Sequence, residues 1–144
     1  MANSMDGTKV SGSCLCGTVT FEVTLPSKFC SHCHCNNCRR AHGAAFVTWA
    51  GFVAERFRLT GGEEQLVRYL TDTDATRSFC GRCGTTLLFE SPRWHGEVHV
   101  ARSNIDGQID REPTAHCYVD HRADWWEITD NLQQYGGETG MEPK

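Results

Sequence analysis

Cys80-Gly-Arg-Cys83-Gly-Thr-Thr-Leu-Leu-Phe-Glu90 is a CxxC followed by glycine, threonine and an apolar run, and Cys14-Leu-Cys16-Gly-Thr-Val-Thr-Phe-Glu22 echoes it. Two thiols on a tight turn supply two corners of a tetrahedral zinc site. The glycine after the second thiol permits a turn that aims backbone N–H groups at sulfur. Two such knuckles facing one another would close a four-sulfur structural zinc site from Cys14, Cys16, Cys80 and Cys83. Cys16 and Cys83 lie 67 residues apart, so this metal would tie the two ends of a β core together. Chance similarity of two turn–strand joints is the bland alternative, but it leaves the cysteine pair in each copy unexplained.

Between the two knuckles lies Cys30-Ser-His-Cys33-His-Cys35-Asn-Asn-Cys38. Cys33, Cys35 and Cys38 could hold three corners of a second zinc, leaving the fourth to water, an aldehyde oxygen or an external thiol. Three protein ligands and one exchangeable one is the layout of a catalytic zinc. Cys30 makes a further CxxC with Cys33, and as a fourth ligand it would close the site and make it structural. Crowding four sulfurs from one short loop around one ion favours the open arrangement. His32 and His34 are expected beside the metal rather than on it. Three thiolates more than neutralise the ion and mute its Lewis acidity, whereas a bound external thiolate stays a strong nucleophile. Arg39 and Arg40, directly after Cys38, either offset that negative charge or are simply solvated.

The rest of the chain reads as β. Short runs rich in β-branched and aromatic residues alternate with turn signals, at 18–24, 45–49, 56–59, 66–70, 86–89, 97–101 and 116–119. Asn36 to Ala41 suits one helical turn, and no long amphipathic helix is expected. The 144 residues suit a single domain, assigned to 9–135, with flexible ends at 1–8 and 136–144. Hydrophobic residues make up 39% of the chain and nine of them are Cys, so the apolar core is thin and metal staples supplement it. A net charge of -4 argues against a nucleic-acid partner. No apolar run approaches the ~20 residues of a membrane span, and the amino terminus lacks the apolar core of a secretory signal. With an odd cysteine count, the CxC and CxxC spacings read as metal ligands in a reducing, cytoplasmic setting rather than as disulfides.

Taken in order, several stretches resemble the glutathione-dependent formaldehyde-activating enzymes, the S-(hydroxymethyl)glutathione synthase-like family related to centromere protein V. They are Gly12-Ser-Cys-Leu-Cys-Gly17, Cys33-His-Cys-Asn-Asn-Cys-Arg-Arg40 with Gly43 and Phe46, the Gly62-Glu63 and Tyr69 region, Arg77-Ser-Phe-Cys-Gly-Arg-Cys-Gly-Thr85, His116, Ala123-Asp-Trp-Trp126 and Leu132-Gln-Gln-Tyr135. The resemblance implies a mainly β, compact Mss-four-like fold with short strands, zinc knuckles and little helix. It implies two zinc ions per chain, a structural one on Cys14, Cys16, Cys80 and Cys83 and a catalytic-type one on Cys33, Cys35 and Cys38. It also implies a carbon–sulfur lyase that joins glutathione and formaldehyde into S-(hydroxymethyl)glutathione. The chain departs from the family at Thr71-Asp-Thr-Asp74, where paired serines are common, and in the extra thiol of Cys30. The resemblance matches no residue to glutathione binding.

Two functions therefore compete. One is a zinc-dependent lyase acting on an adduct of a small-molecule thiol and an aldehyde. The other is a non-catalytic zinc module that binds a protein or another macromolecule. Cys117 is expected as a buried strand residue, and His116 as either a hydrogen-bonded structural histidine or a pocket residue. Trp49, Phe46 and Tyr118 are core residues or pocket walls. One of Trp125 and Trp126 should be exposed, because neighbours on an extended chain face opposite sides.

Overall fold

The alternation in Thr20-Phe-Glu-Val-Thr24 buries Phe21 and Val23 and leaves the residues between them half-exposed, so this strand has one face for a core. In the computed structural model, which describes residues 5–144, it is β2 (Thr20–Thr24), between β1 (Lys9–Ser13) and β5 (Phe57–Gly61) in a three-stranded antiparallel sheet. The remaining strands form one nine-stranded sheet. In chain order they are β3 (Phe29–Cys33), β4 (Val47–Val53), β6 (Leu66–Leu70), β7 (Thr76–Cys80), β8 (Thr86–Glu90), β9 (Glu97–Ala101), β10 (Ala115–Cys117), β11 (Gln133–Gly136) and β12 (Glu142–Pro143). Their spatial order is β12-β11-β10-β3-β4-β9-β8-β7-β6. Pairing is antiparallel except where β10 lies parallel to β3 and β11. The single α-helix among the described residues, α1 (Asn36–His42), sits behind the middle cysteines.

Phe21 and Val23 of the small sheet pack with Ala50, Phe52, Val98 and Val100 of the large one in a single buried cluster. Full burial of each large apolar side chain contributes about 1.5–3 kcal/mol. Side chains alternate between faces along each strand, so the residues between these point to the other side of the large sheet. There the register aligns Arg77, Phe89, His99, Gly51 and Phe29 in one row across β7, β8, β9, β4 and β3. The row is packed side chain to side chain. The Arg77 guanidinium lies 4.9 Å over Phe89, and Phe29 meets His99 edge-on at 4.8 Å. Gly51 makes this possible, because a Cβ there would come within 2.1 Å of the Phe29 ring.

The mainly β class, the short helix and the strands at Leu66–Leu70 and Glu97–Ala101 agree with the sequence reading. The run from His116 to Val119 shortens, because Tyr118 turns to φ 56 and ends the strand. The strands β1, β3 and β7 carry serine, cysteine or charge at alternate positions and give no apolar run to read. The two ends, 1–8 and 136–144, make contacts with the rest of the chain where they are described. Residues 1–4 lie outside the described residues, but Gly7 N–H donates to Leu25 O at 2.9 Å. At the other end β12 pairs with β11, and Lys144 Nζ lies 2.9 Å from Asp120. No helix of the described residues is long and apolar enough to cross a membrane.

Gly51→Ala should lower stability by about 1–3 kcal/mol, the usual cost of forcing extra volume into a packed position. Denaturant unfolding measures it. An unchanged midpoint would show that Phe29 is free to move off the strand.

Candidate metal centres and the adjoining cavity

The two knuckles meet. Cys14, Cys16, Cys80 and Cys83 bring all four sulfurs within 4.8 Å of one another. Cys14 and Cys16 sulfurs are 3.6 Å apart, and those of Cys16 and Cys80 are 3.9 Å apart. A regular ZnS4 tetrahedron with Zn–S of about 2.3 Å has edges of about 3.8 Å, so the donor set fits zinc. The sequence echo is also an echo of structure. Gly17 and Gly84 both take φ 81. Gly17 N–H returns to Cys14 O at 3.1 Å, and Gly84 N–H to Cys80 O at 2.8 Å. Backbone N–H groups of Val19 and Arg82 point at the sulfurs of Cys14 and Cys80. Each second cysteine also has a threonine hydroxyl close by, Thr18 at 3.2 Å from Cys16 and Thr85 at 3.1 Å from Cys83. Hydrogen bonds from the Thr85 side chain and backbone bring Cys83 down to about 5, and those of Thr18 lower Cys16. Both shifts favour the thiolate that a metal requires.

The second cluster gathers Cys33, Cys35 and Cys38, again with sulfurs within 4.8 Å of one another. Cys33 ends β3. Cys35 caps α1, its sulfur accepting the Cys38 N–H at 3.2 Å. Cys38 lies in the first turn, where Trp49 Nε1–H and Arg77 Nη2–H donate to its sulfur at 3.4 and 3.5 Å. Hydrogen bonds from Cys33 and Cys35, then the charge of Arg77, hold Cys38 well below the ordinary thiol value, against its burial. The cost falls on its neighbours. The hydrogen bonds of Cys35 and Cys38, with burial, push Cys33 well up. Cys35 gains from the Cys33 hydrogen bond, but its contact with Cys38 and its burial leave it raised. The three crowded thiols thus oppose one another's ionisation, and a divalent cation is what would let all three ionise. This donor set also fits zinc.

Cys30 lies outside this group. It pairs with Ala50 in the register and is fully buried, and strand alternation puts its side chain on the face of β3 opposite to that of Cys33. Burial raises the Cys30 thiol, with Arg102 and Arg111 pulling against it. Arg39 and Arg40 are not the counter-charge either. They line a separate recess with Trp125, and Arg39 Nη1–H donates to His121 O at 3.0 Å. The cation at the cluster is Arg77, to which the sequence reading assigned no role.

The three cysteines form part of the wall of a cavity of about 640 Å³, within the range of about 300–1,000 Å³ that takes drug-sized molecules. Phe29, Trp49 and Phe89 give it apolar walls, and Thr71 and Thr73, with hydroxyls 3.0 Å apart, also line it. Arg93 spans the rim, bonding Tyr118 Oη and Thr139 O, which draws the carboxyl-terminal segment with Met141 to the mouth. Cys117 is buried beside Cys33 in register, its sulfur 3.8 Å from Ser31 Oγ. Trp125 is 67% exposed, while Trp126 packs on Phe46 and His34.

His34 points away from the cluster and anchors it from behind. Its Nε2 lies 2.7 Å from His116 Nδ1, and His116 Nε2 lies 2.9 Å from Asp130. Burial, then the charges of His116 and His32, hold His34 down at about 4, so the ring is neutral. His116 thus bridges Asp130 through Nε2 and His34 through Nδ1. The loop carrying Cys33 and Cys35 is thereby pinned to β10. His32 bonds Thr48 instead, at 2.8 Å.

The sequence profile of the glutathione-dependent formaldehyde-activating enzymes matches residues 9–121. A curated protein of Halomonas elongata, provisionally named as such an enzyme, is 32% identical over 130 residues, covering 85% of this chain and 82% of its own. An uncharacterised lyase of Schizosaccharomyces pombe is 31% identical over 78 residues, 54% of this chain and 55% of that one. The crystal structure of a Rhodobacter sphaeroides protein superimposes with a TM-score of 0.60 at 30% identity, covering 68% of this chain and 89% of the other.

Cys14→Ser and Cys83→Ser should each remove one zinc per chain and lower the melting temperature sharply. Cys35→Ser should also lose one zinc but leave the β core folded, because its ligands are local. Metal analysis with thermal melts checks both, and a Cys83→Ser protein that keeps two zincs and its melting point would refute the first. His116→Ala should weaken zinc at the second cluster about 10–100-fold, the usual effect of losing an outer support, with the first cluster unaffected. Competition with a chromophoric chelator reads the two affinities.

Proposed function

The chain belongs to the glutathione-dependent formaldehyde-activating enzyme family, and from that premise we propose that it is a carbon–sulfur lyase making and splitting a thiol–aldehyde adduct. The adduct to which the family points is S-(hydroxymethyl)glutathione, from glutathione and formaldehyde. The observation that carries the reading is a cluster of three cysteines, with no fourth cysteine among the described residues joining it, in the wall of a cavity large enough for a peptide thiol. Nine free cysteines suit a reducing, cytoplasmic compartment.

Zinc on Cys33, Cys35 and Cys38 would keep a substrate thiol as its thiolate near neutral pH, where a free thiol of pKa about 8.5 is mostly protonated. The chain supplies the rest. Trp49 and Arg77 draw charge from Cys38 and so weaken it as a competing nucleophile. Phe29, Trp49 and Phe89 give the reacting atoms an apolar surround. The substrate sulfur uses an electron pair to form a bond to the carbonyl carbon. The C=O π pair moves to oxygen, which takes through water the proton that the thiol gave up on becoming a thiolate. In the reverse direction the hydroxyl loses its proton, the carbonyl re-forms and the C–S pair returns to sulfur.

Exchange among formaldehyde, glutathione and their adduct, followed by NMR exchange broadening, should be faster with the wild type than with Cys35→Ser or buffer. Cys30→Ser should keep the acceleration, because Cys30 is not part of the three-cysteine cluster. Equal rates for wild type, Cys35→Ser and buffer would end the lyase reading for these substrates and leave the non-catalytic zinc module.

A further inference from the structure

We propose that Arg77 is the group that receives the aldehyde oxygen, through its Nη1–H, and holds the alkoxide that forms there when sulfur adds. This inference rests on the thiol–aldehyde reading and adds to it the residue that activates the carbonyl.

Arg77 is only 8% exposed and lines the cavity. Its guanidinium is held on two sides, by Nη2–H on the Cys38 sulfur at 3.5 Å and by the Phe89 ring 4.9 Å beneath. Nη1 is buried and has no hydrogen-bond partner. A buried donor left unpaired is costly, and buried polar groups in folded proteins are almost always satisfied. Four other buried side-chain atoms are unpartnered among the described residues, on His34, Arg39, His42 and Ser78. None of those residues lines this cavity. The other basic side chains near it are engaged. Arg93 bonds Tyr118 and Thr139 with both terminal nitrogens, and His99 Nε2 lies 2.9 Å from Glu97.

The chemistry calls for such a donor at this place. A centre surrounded by thiolates polarises a carbonyl poorly, so the charge that develops on oxygen must be met by something else. Sulfur and oxygen of the adduct are bonded to one carbon, so the oxygen's partner must stand next to the sulfur site. Arg77 does, because its other nitrogen already touches Cys38. The guanidinium stays charged at any working pH and gives up no proton. It donates a hydrogen bond while the C–S bond forms, the π pair moves to oxygen, and water supplies the proton that the thiol released. Fixed donors aimed at developing negative charge contribute about 10²–10³ in rate elsewhere.

The test uses the zinc-loaded protein, with Arg77→Met and Arg77→Lys. Both variants should hold two zincs and bind glutathione within about threefold of wild type, while Arg77→Met loses the acceleration over buffer and Arg77→Lys recovers part of it. In the wild type, the ¹⁵N side-chain resonance of Arg77 should shift when glutathione and formaldehyde are added together and stay in place with glutathione alone. Undiminished exchange in Arg77→Met would overturn the proposal. So would an equal shift with glutathione alone, which would make Arg77 a carboxylate anchor. Loss of zinc in parallel with loss of rate, without recovery in Arg77→Lys, would reduce it to a support for Cys38. Should the wild type not accelerate the exchange, the comparison with buffer shows that the lyase reading has failed. The Arg77 resonance in the presence of the pre-formed adduct then decides the binding of the oxygen independently of any rate.

Discussion

Four sulfur atoms from two turns, with Cys16 and Cys80 64 residues apart, approach to the edge length of one tetrahedron. The rest of the structure depends on that approach. Closing so long a loop carries an entropic cost that grows slowly with length, and a chain with a thin apolar core has little surplus to meet it. A metal bound only in the folded state adds its binding free energy to folding. The closure also sets a position. Cys80 ends β7, and Arg77 lies three residues earlier on the same strand. Alternation sends Cys80 to the core side and Arg77 to the cavity side. Holding the knuckle in place therefore also holds the guanidinium beside Cys38, although the two cysteine clusters share no ligand.

The large sheet divides the labour between its faces. One face is the floor of the apolar core, with Ala50, Phe52, Val98 and Val100 against the small sheet. The other presents a row in which arginine, phenylalanine and histidine touch in turn and end on Phe29. A one-residue slip of any strand would exchange the two faces, so the packing of the core fixes the cavity wall. At the β3 end the faces separate again. Cys33 and Cys117 lie on the cavity side, while His32, His34 and His116 pack behind with Phe46. The histidines hold the loop that carries the cysteines without standing in the cavity.

This division explains what could be read in the sequence. Metal chemistry imposes short local spacings, so the grouping into Cys14, Cys16, Cys80, Cys83 and into Cys33, Cys35, Cys38 was legible, down to the repeated Cys-Gly-Thr that places a hydroxyl by each second sulfur. Runs such as Glu97-Val-His-Val-Ala101 were legible as strands because apolar and β-branched residues alternate. Phe29-Cys-Ser-His-Cys33 was hidden because its residues read as a metal loop and not as a strand. Arg77 was hidden for a different reason. Its partners Phe89 and Cys38 are 12 and 39 residues away in sequence, and only strand pairing brings them together. Arg39 and Arg40 drew attention by lying next to Cys38 in sequence, although α1 turns them to another recess.

The two clusters differ in what surrounds their sulfurs, and the difference points to where chemistry can occur. Around the first, the hydrogen-bond partners are neutral backbone N–H and threonine hydroxyl groups on tight turns. They favour thiolates and leave nothing over for a ligand. Around the second, the donors are an indole N–H and a permanent cation, and the cation keeps one N–H free. Four sulfurs complete a tetrahedron, so the first cluster has no corner to offer a substrate. Three sulfurs beside an unspent cationic donor and an apolar-walled cavity leave room for both a sulfur and an oxygen. The pairing of a thiol with an aldehyde needs both, at adjacent positions.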